Sequence, residues 1–89
     1  MSSKLEVIEI KEVDASIAKL PRQIKILYTR QLAILRDGTK DHRLHLKKLR
    51  GLEEVFSFRI TRSYRALFYF QNPNQVIIFA VGNRRDIYR

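Results

Sequence analysis

The order of apolar and polar positions predicts a strand, two helices and then a run of strands. Residues 5–10 are rich in Val and Ile, which is typical of a first strand. Asp14 is a good N-cap residue and predicts a short helix that runs to about Leu20. Pro21 stands where a second helix would begin, in its first turn.

The second predicted helix carries one apolar stripe at helical spacing. Its members are Ile24, Leu27, Tyr28, Gln31, Leu32 and Leu35. Only Gln31 interrupts the stripe, Arg36 lies in the last turn, and Gly38 is a plausible stop. We expect the two helices to form an antiparallel or kinked pair on a sheet, with one long kinked helix as the alternative.

From Leu44 onward the pattern is that of strands, the first of which is interrupted by Gly51. The sequence Asn72-Pro73-Asn74 predicts a turn before the last strand. Residues 76–81 are apolar without a break, as expected for a central strand that is covered on both faces. The whole pattern predicts one α+β domain over residues 1–89, with a small antiparallel β-sheet packed against an N-terminal pair of α-helices.

Strands 55–61 and 64–70 each have an aromatic face and a face that carries an arginine. A three-residue turn, 61–63, keeps the two aromatic faces together, whereas a two-residue turn would mix them. The three-residue turn places Arg59 directly opposite Arg65. Like charges opposite one another destabilise a sheet, so an anion between the two side chains would make the pair easier to tolerate.

The alternative for this pair is that both side chains turn into water or meet Glu53 or Glu54. If the last strand lies beside strand 64–70, it brings Arg84 close to Arg59 and Arg65, and three guanidinium groups could then surround one phosphate. Tyr88 could stack on a base, or could equally be a half-buried anchor of the C-terminus.

Charge is unevenly distributed along the chain. Residues 43–89 contain ten Lys and Arg against three Asp and Glu, within a total net charge of +9. This excess favours a polyanion or an acidic protein as partner, although a basic surface can also serve solubility. There is no cysteine, which excludes disulfides and thiolate metal sites, and the absence of a signal peptide or a membrane-length apolar run predicts a cytoplasmic protein with no membrane partner.

The two histidines, His42 and His45, are close together in the sequence. Histidine is the commonest general base, but a surface or turn position is its more ordinary role. We expect His42 to lie on a loop and His45 within a strand, and His42 is the better candidate.

Several kinds of catalytic site are excluded. There is no Gly-rich phosphate loop, and the three acidic residues after Asp41 are too few to hold two metal ions. Cleavage of a phosphodiester without metal needs an internal nucleophile, which RNA supplies in its 2′-hydroxyl and DNA does not. We therefore expect no metal and no cofactor, and RNA rather than DNA as the substrate if the chain is a nuclease.

Four segments of the chain resemble the RelE/ParE superfamily of toxin–antitoxin toxins. They are Lys48-Leu-Arg-Gly51, Phe56-x-Phe-Arg-Ile60, Tyr64-Arg-x-x-Phe-Tyr69 and Val81-Gly-Asn-Arg-Arg-Asp-Ile-Tyr88. The order of strands and helices also matches that family, over nearly the whole chain. Toxins of the RelE branch cut mRNA in the ribosomal A site without metal, by attack of the 2′-hydroxyl on the adjacent phosphate.

The resemblance implies a role for each matched residue. Arg59 would contact the scissile phosphate, and Arg65 would stabilise the transition state. Arg84 would assist the leaving group, and Tyr88 would stack on the substrate. We expect further contacts to RNA from the remaining basic residues Lys47, Lys48, Arg50, Arg62 and Arg85.

The chain departs from the family at two positions. Ser57 replaces the lysine that is proposed as the base in RelE, and Asn83 replaces a histidine that is found in many relatives. Arg59 is a poor substitute for that base because its pKa lies above ~12. Asp41-His42-Arg43-Leu44 looks like the Asp-His-x-Leu arrangement of the YafQ branch, which makes His42 the expected general base.

The resemblance also implies partners: a cognate antitoxin, mRNA in the ribosomal A site, and operator DNA only through the antitoxin complex. Two alternatives stay open. One is a ParE-type toxin that inhibits DNA gyrase without cutting RNA, although that branch generally lacks the arginine and tyrosine set. The other is an RNA-binding module whose catalytic set has decayed, which Ser57 makes possible.

Overall fold

The computed structural model describes residues 4–51 and 54–87, and within them the elements follow the predicted order. The strands are β1 (Glu6–Glu9), β2 (Lys47–Lys48), β3 (Val55–Arg59), β4 (Tyr64–Asn72) and β5 (Gln75–Asn83). The helices are α1 (Lys11–Ala18), α2 (Arg22–Arg36) and α3 (Arg84–Ile87), with one 3-10 turn at His42–Leu44.

The five strands form one sheet in the order β1-β5-β4-β3-β2. The neighbours β2–β3, β3–β4 and β4–β5 are antiparallel, but β1 pairs with β5 in parallel. The α+β class is confirmed, and the sheet is mixed rather than wholly antiparallel. The reason is the connection: β1 pairs with the last strand of the chain, so no hairpin turn requires it to run in the opposite direction.

The core lies between the helical pair and one face of the sheet. Tyr28, Leu32 and Leu35 of the predicted stripe are buried against that face, and the Tyr28 ring stacks on Phe58 at 6.2 Å. Burial of each large side chain contributes about 1.5–3 kcal/mol. The Tyr28 hydroxyl donates a hydrogen bond to Glu9 (2.6 Å), and burial together with this bond raises the pKa of Tyr28 well above its ordinary value.

The two helices are separate, because α1 ends at Ala18 and Pro21 occupies the N-cap of α2. The prediction that Asp14 caps the first helix is wrong: Ile10 is the N-cap residue and Asp14 lies inside α1. The helix begins early because this places Val13 in the core. Burial of apolar side chains outweighs the preference of one residue for a cap.

The predicted register of β3 and β4 is confirmed. Arg59 pairs with Arg65 across the two strands. Residues 61–63 form the turn, and the Ile60 amide donates to the Tyr64 carbonyl (2.9 Å). The turn before the last strand is also as predicted, since β4 ends at Asn72 and β5 begins at Gln75.

His45 is not in a strand, so that prediction is wrong. It follows the 3-10 turn with φ 46, in the left-handed region that non-glycine residues rarely adopt. The next strand, β2, contains only Lys47 and Lys48.

Gln31, the polar member of the apolar stripe, ties three elements together. Its side-chain amide donates to the Arg43 carbonyl (2.9 Å) in the 3-10 turn and to the Arg59 carbonyl (2.8 Å) at the end of β3. The side chain is only 6% exposed. The amide therefore holds the 3-10 turn beside the end of β3, where the candidate site residues lie.

We predict that Gln31→Met lowers the free energy of unfolding by about 1–3 kcal/mol, because both carbonyls lose their amide donor. Urea denaturation measures this change. Gln23→Met is the matched control, since Gln23 is exposed on the same helix; its effect should stay within about 0.5 kcal/mol. Equal stability of the two variants would contradict the tying role of Gln31.

Candidate functional site

Three arginines from three different elements line one cavity of about 260 Å³. They are Arg59 at the end of β3, Arg65 near the start of β4, and Arg84 at the start of α3. We call this the central cavity, and the described residues that line it are His45, Leu46, Lys47, Arg59, Arg65 and Arg84. No carboxylate is among these residues, so the cavity is suited to an anion.

Arg65 is held by two hydrogen bonds and is only 7% exposed. Its Nε donates to the Ser57 hydroxyl (3.1 Å), and its Nη2 donates to the His45 carbonyl (2.7 Å). Both of these acceptors are uncharged, and the two bonds orient the guanidinium group. The bond to His45 also links Arg65 to the left-handed turn that the chain makes at that residue.

Ser57 thus has a role that the sequence did not reveal. Its side chain is fully buried and shares the face of the sheet that carries Arg59 and Arg65. The signal for it was the alternation of β3, which put Ser57 two residues before Arg59. A lysine at this position would place a second buried cation against Arg65, whereas the serine hydroxyl accepts its hydrogen bond.

Gly82 allows α3 to place Arg84 beside the arginine pair. Gly82 is opposite Arg65 in the β4–β5 register, and a Cβ atom built on it would lie 3.2 Å from Cγ2 of Ile87. That distance is tighter than an ordinary contact, so with a side chain at this position the Ile87 side chain of α3 would have to shift by a few tenths of an ångström. The Arg84 amide donates to the Ser63 carbonyl (2.8 Å), which anchors the start of α3 to the β3–β4 turn.

Asn83 has a structural use in this chain. Its side-chain oxygen accepts a hydrogen bond from the Arg85 amide (3.0 Å), as an N-cap side chain does. This capping bond gives the asparagine a role in the start of α3.

Arg59 and Arg84 keep much of their charge available within the described residues. Among the described residues, Arg59 and Arg84 form no ion pair, and Glu54 is not a partner of either. Glu53 lies outside the described residues. The alternative in which Arg59 meets Glu54 is therefore not what the structure shows.

The two histidines occupy different positions relative to the cavity. His42 is exposed on the 3-10 turn and is not among the residues that line the cavity, whereas His45 is. The turn is stabilised by Asp41, which accepts from the Arg43 amide (2.9 Å) and pairs with the Arg43 guanidinium (2.7 Å). These hydrogen bonds from Arg43 hold the pKa of Asp41 well below its ordinary value.

The other basic residues with a predicted contact to RNA lie in cavities that adjoin the central one. Arg62 and Arg85 line a space of about 330 Å³ that shares Arg84 with it. Lys48 and Arg50 line a space of about 400 Å³ that shares Lys47 with it. Tyr88 lies outside the described residues, so its predicted stacking role stays a prediction.

The described residues contain neither a metal-binding cluster nor a helix that could span a membrane. No group of three His, Asp or Glu side chains lies close enough to hold a metal ion in residues 4–51 and 54–87. Within the same residues, each helix is too short or too polar to cross a membrane.

Similar folds occur among solved toxin structures. The RelB–RelE antitoxin–toxin complex from Methanococcus jannaschii matches with a TM-score of 0.76 and 18% identity, over 91% of this chain and 94% of that chain. The toxin–antitoxin complex RelBE2 from Mycobacterium tuberculosis matches with a TM-score of 0.74 and 25% identity, over 97% and 98%. The YoeB/ParE toxin from Agrobacterium tumefaciens matches with a TM-score of 0.75 and 8% identity, over 89% and 98%.

No protein-family model and no curated protein sequence matches the chain. The structural likeness covers almost all of the chain and includes RelE, YoeB and ParE toxins. The chain has the fold of RelE/ParE-superfamily toxins, and the resemblance that its sequence motifs indicated is confirmed at the level of the fold.

Proposed function

We propose that this chain is the toxin of a toxin–antitoxin system and that it cuts mRNA on the ribosome. The observation that carries the proposal is the central cavity, which three guanidinium groups from separate elements line and to which no described residue contributes a carboxylate. Arginine binds phosphate through planar, forked hydrogen bonds and stays charged at any physiological pH. This arrangement supports binding and stabilisation of a phosphodiester.

The reaction that fits the cavity is an internal transesterification. The 2′-oxygen of a ribose attacks the adjacent phosphorus, the bond from phosphorus to the 5′-oxygen breaks, and a 2′,3′-cyclic phosphate and a 5′-hydroxyl end result. The phosphorane-like transition state carries more negative charge on phosphate than the substrate does. Arg65, held in place before substrate binds, stabilises that charge, and Arg59 and Arg84 add to it from the two sides.

A proton must leave the 2′-hydroxyl and another must reach the 5′-oxygen. Arginine cannot accept the first proton, because its pKa lies above ~12. The resemblance to YafQ favours His42 as the acceptor, whereas the structure places His45 in the wall of the cavity. We assign proton transfer to His45 on this geometry and treat His42 as its direct competitor.

The proposed function also implies a protein partner and a cellular location. The structural neighbours include toxin–antitoxin complexes, among them RelB–RelE and YoeB–YefM complexes. We propose a cognate antitoxin with an acidic segment that neutralises the basic half of this chain. The toxin would act in the cytoplasm, where translating ribosomes and their mRNA are found.

We predict that Arg84→Ala slows cutting of translated mRNA by roughly a hundredfold to a thousandfold, as removal of one preorganised donor does in other enzymes. Primer extension on mRNA during translation measures this rate. Arg84 is exposed, so the variant should fold, and Arg22→Ala on α2 is the matched control with expected wild-type cutting.

The same experiment separates the competing functions. Breaks in DNA that depend on gyrase, without cuts in mRNA, would show a ParE-type toxin. Tight RNA binding with neither activity would show a binding module that has lost catalysis. Unchanged cutting by Arg84→Ala would contradict the role given to this arginine.

We predict that Ser57→Ala lowers both stability and cutting, because the buried Arg65 Nε loses its hydroxyl acceptor. The free energy of unfolding should fall by about 1–3 kcal/mol, and mRNA cutting should fall by at least about tenfold. Ser57→Thr keeps the hydroxyl and should retain most of the cutting rate. Wild-type cutting by Ser57→Ala would show that the Ser57 hydroxyl does not position Arg65.

We predict that His45→Asn slows cutting by about a hundredfold or more, whereas His42→Asn changes it only slightly. Asparagine tolerates the left-handed backbone of residue 45 and lacks a basic ring nitrogen, so the change removes the proton acceptor without adding strain. The reverse ranking would assign the base to His42 instead.

A further inference from the structure

A second cationic cavity adjoins the central cavity on the side of helix α2. It measures about 240 Å³ and is lined by Arg30, Gln31, Arg43, His45, Arg59 and two apolar side chains. We call it the α2 cavity. Neither Arg30 nor Arg43 was among the residues expected to contact RNA, because they lie on α2 and on the 3-10 turn, away from the strands that carry the family motifs.

The α2 cavity and the central cavity share a wall, which is formed by His45 and Arg59. An anion in either cavity could therefore contact Arg59. Anions in two adjoining cavities that share one arginine match successive phosphates of a single nucleic-acid strand. The shared wall gives no advantage to an anion that belongs to a different molecule from the anion in the central cavity.

Hydrogen bonds hold part of the lining of the α2 cavity in place. The Gln31 amide holds the carbonyls of Arg43 and Arg59 at 2.9 and 2.8 Å, so the two backbone segments that carry these arginines keep a fixed separation. The Arg43 guanidinium is itself fixed by its paired hydrogen bonds to Asp41 (3.0 and 2.7 Å). The lining therefore combines arginines from three elements, and hydrogen bonds hold the backbone at Arg43 and Arg59 and the guanidinium group of Arg43.

The volume of the α2 cavity favours a small anionic group as its ligand. Small-molecule pockets in proteins measure about 300–1,000 Å³, and the α2 cavity is below that range. It has room for a phosphate and its immediate oxygens and not for a whole nucleotide. Among the described residues, the lining contains no Phe, Tyr or Trp ring, so we expect the cavity to hold the backbone of the strand and leave the base outside.

We infer that the α2 cavity binds the phosphate next to the scissile phosphate of the same RNA strand, with Arg30 and Arg43 as its ligands beside the shared Arg59. This inference rests on the proposed function. It extends the RNA path from the strands across to α2, and it predicts that α2 contributes to affinity for every RNA sequence alike, since a phosphate carries no sequence information.

The test measures binding of a short, fluorescently labelled single-stranded RNA with 2′-O-methyl riboses, which cannot be cut, over a series of KCl concentrations. For Arg30→Ala we expect weaker binding and a salt slope that is smaller by about 0.7, the value for one lost phosphate contact on a single strand. Arg22→Ala, on the same helix but outside both cavities, is the matched control and should leave the slope unchanged.

A second variant should strengthen binding, which a folding defect cannot imitate. Asp41→Asn removes the carboxylate beside Arg43 but keeps an oxygen that can accept from the Arg43 amide. We expect several-fold tighter RNA binding. Glu12→Gln, on α1, makes the same charge change away from the cavities and is its control. Thermal unfolding of all four variants checks that they fold as the wild type does.

The inference fails if Arg30→Ala keeps the wild-type slope, or if Asp41→Asn binds no more tightly than Glu12→Gln. In that case an acidic protein segment becomes the better occupant of the α2 cavity. Failure of the proposed function is distinguishable, since the wild-type protein would then leave translated mRNA uncut. Absence of RNA binding by the wild type at low salt also overturns the inference, while the cutting assay decides the proposed function separately.

Discussion

The burial of Arg65 inside the sheet is the constraint on which the rest of the site depends. A buried guanidinium group must find acceptors, and here it takes the Ser57 hydroxyl and the His45 carbonyl. The first of these bonds fixes the side chain within the sheet, and the second holds the chain in its turn before β2. Because β3 and β4 pair in register, Arg59 then lies directly opposite, and Gly82 on the other side lets α3 bring Arg84 close.

This arrangement costs stability. Lys47 and the three arginines around one cavity repel one another, and His45 adopts a backbone conformation that costs about 1–3 kcal/mol for a residue other than glycine. Clustered cations and strained backbone are typical of binding sites. A phosphate between the arginines would supply the missing negative charge and relieve the repulsion between them. We interpret the cavity as a site in which stability has been exchanged for binding, as is common at functional sites.

The parts of the fold that follow from local patterns could be predicted from the sequence. Alternation along β3 and β4 and the length of their turn were enough to place Arg59 opposite Arg65. The conformation of His45 could not be predicted, because it depends on contacts between residues that are distant in the sequence. Arg65 donates a hydrogen bond to the His45 carbonyl, and Gln31 donates one to the Arg43 carbonyl in the preceding turn. The parallel pairing of β1 and the role of Gly82 likewise depend on contacts between distant segments, and no local pattern encodes them.

We propose that the cavity promotes attack by a ribose 2′-oxygen on a phosphate that is bound by the arginines. The most direct measurement uses ribosomes programmed with a synthetic mRNA in which one ribose, on the 5′ side of the cut linkage, is replaced by 2′-deoxyribose. Cutting at that linkage should disappear, whereas binding of the protein to the ribosome should persist. Cutting of the substituted linkage at the original rate would contradict this proposal, because the nucleophile would then have to come from elsewhere.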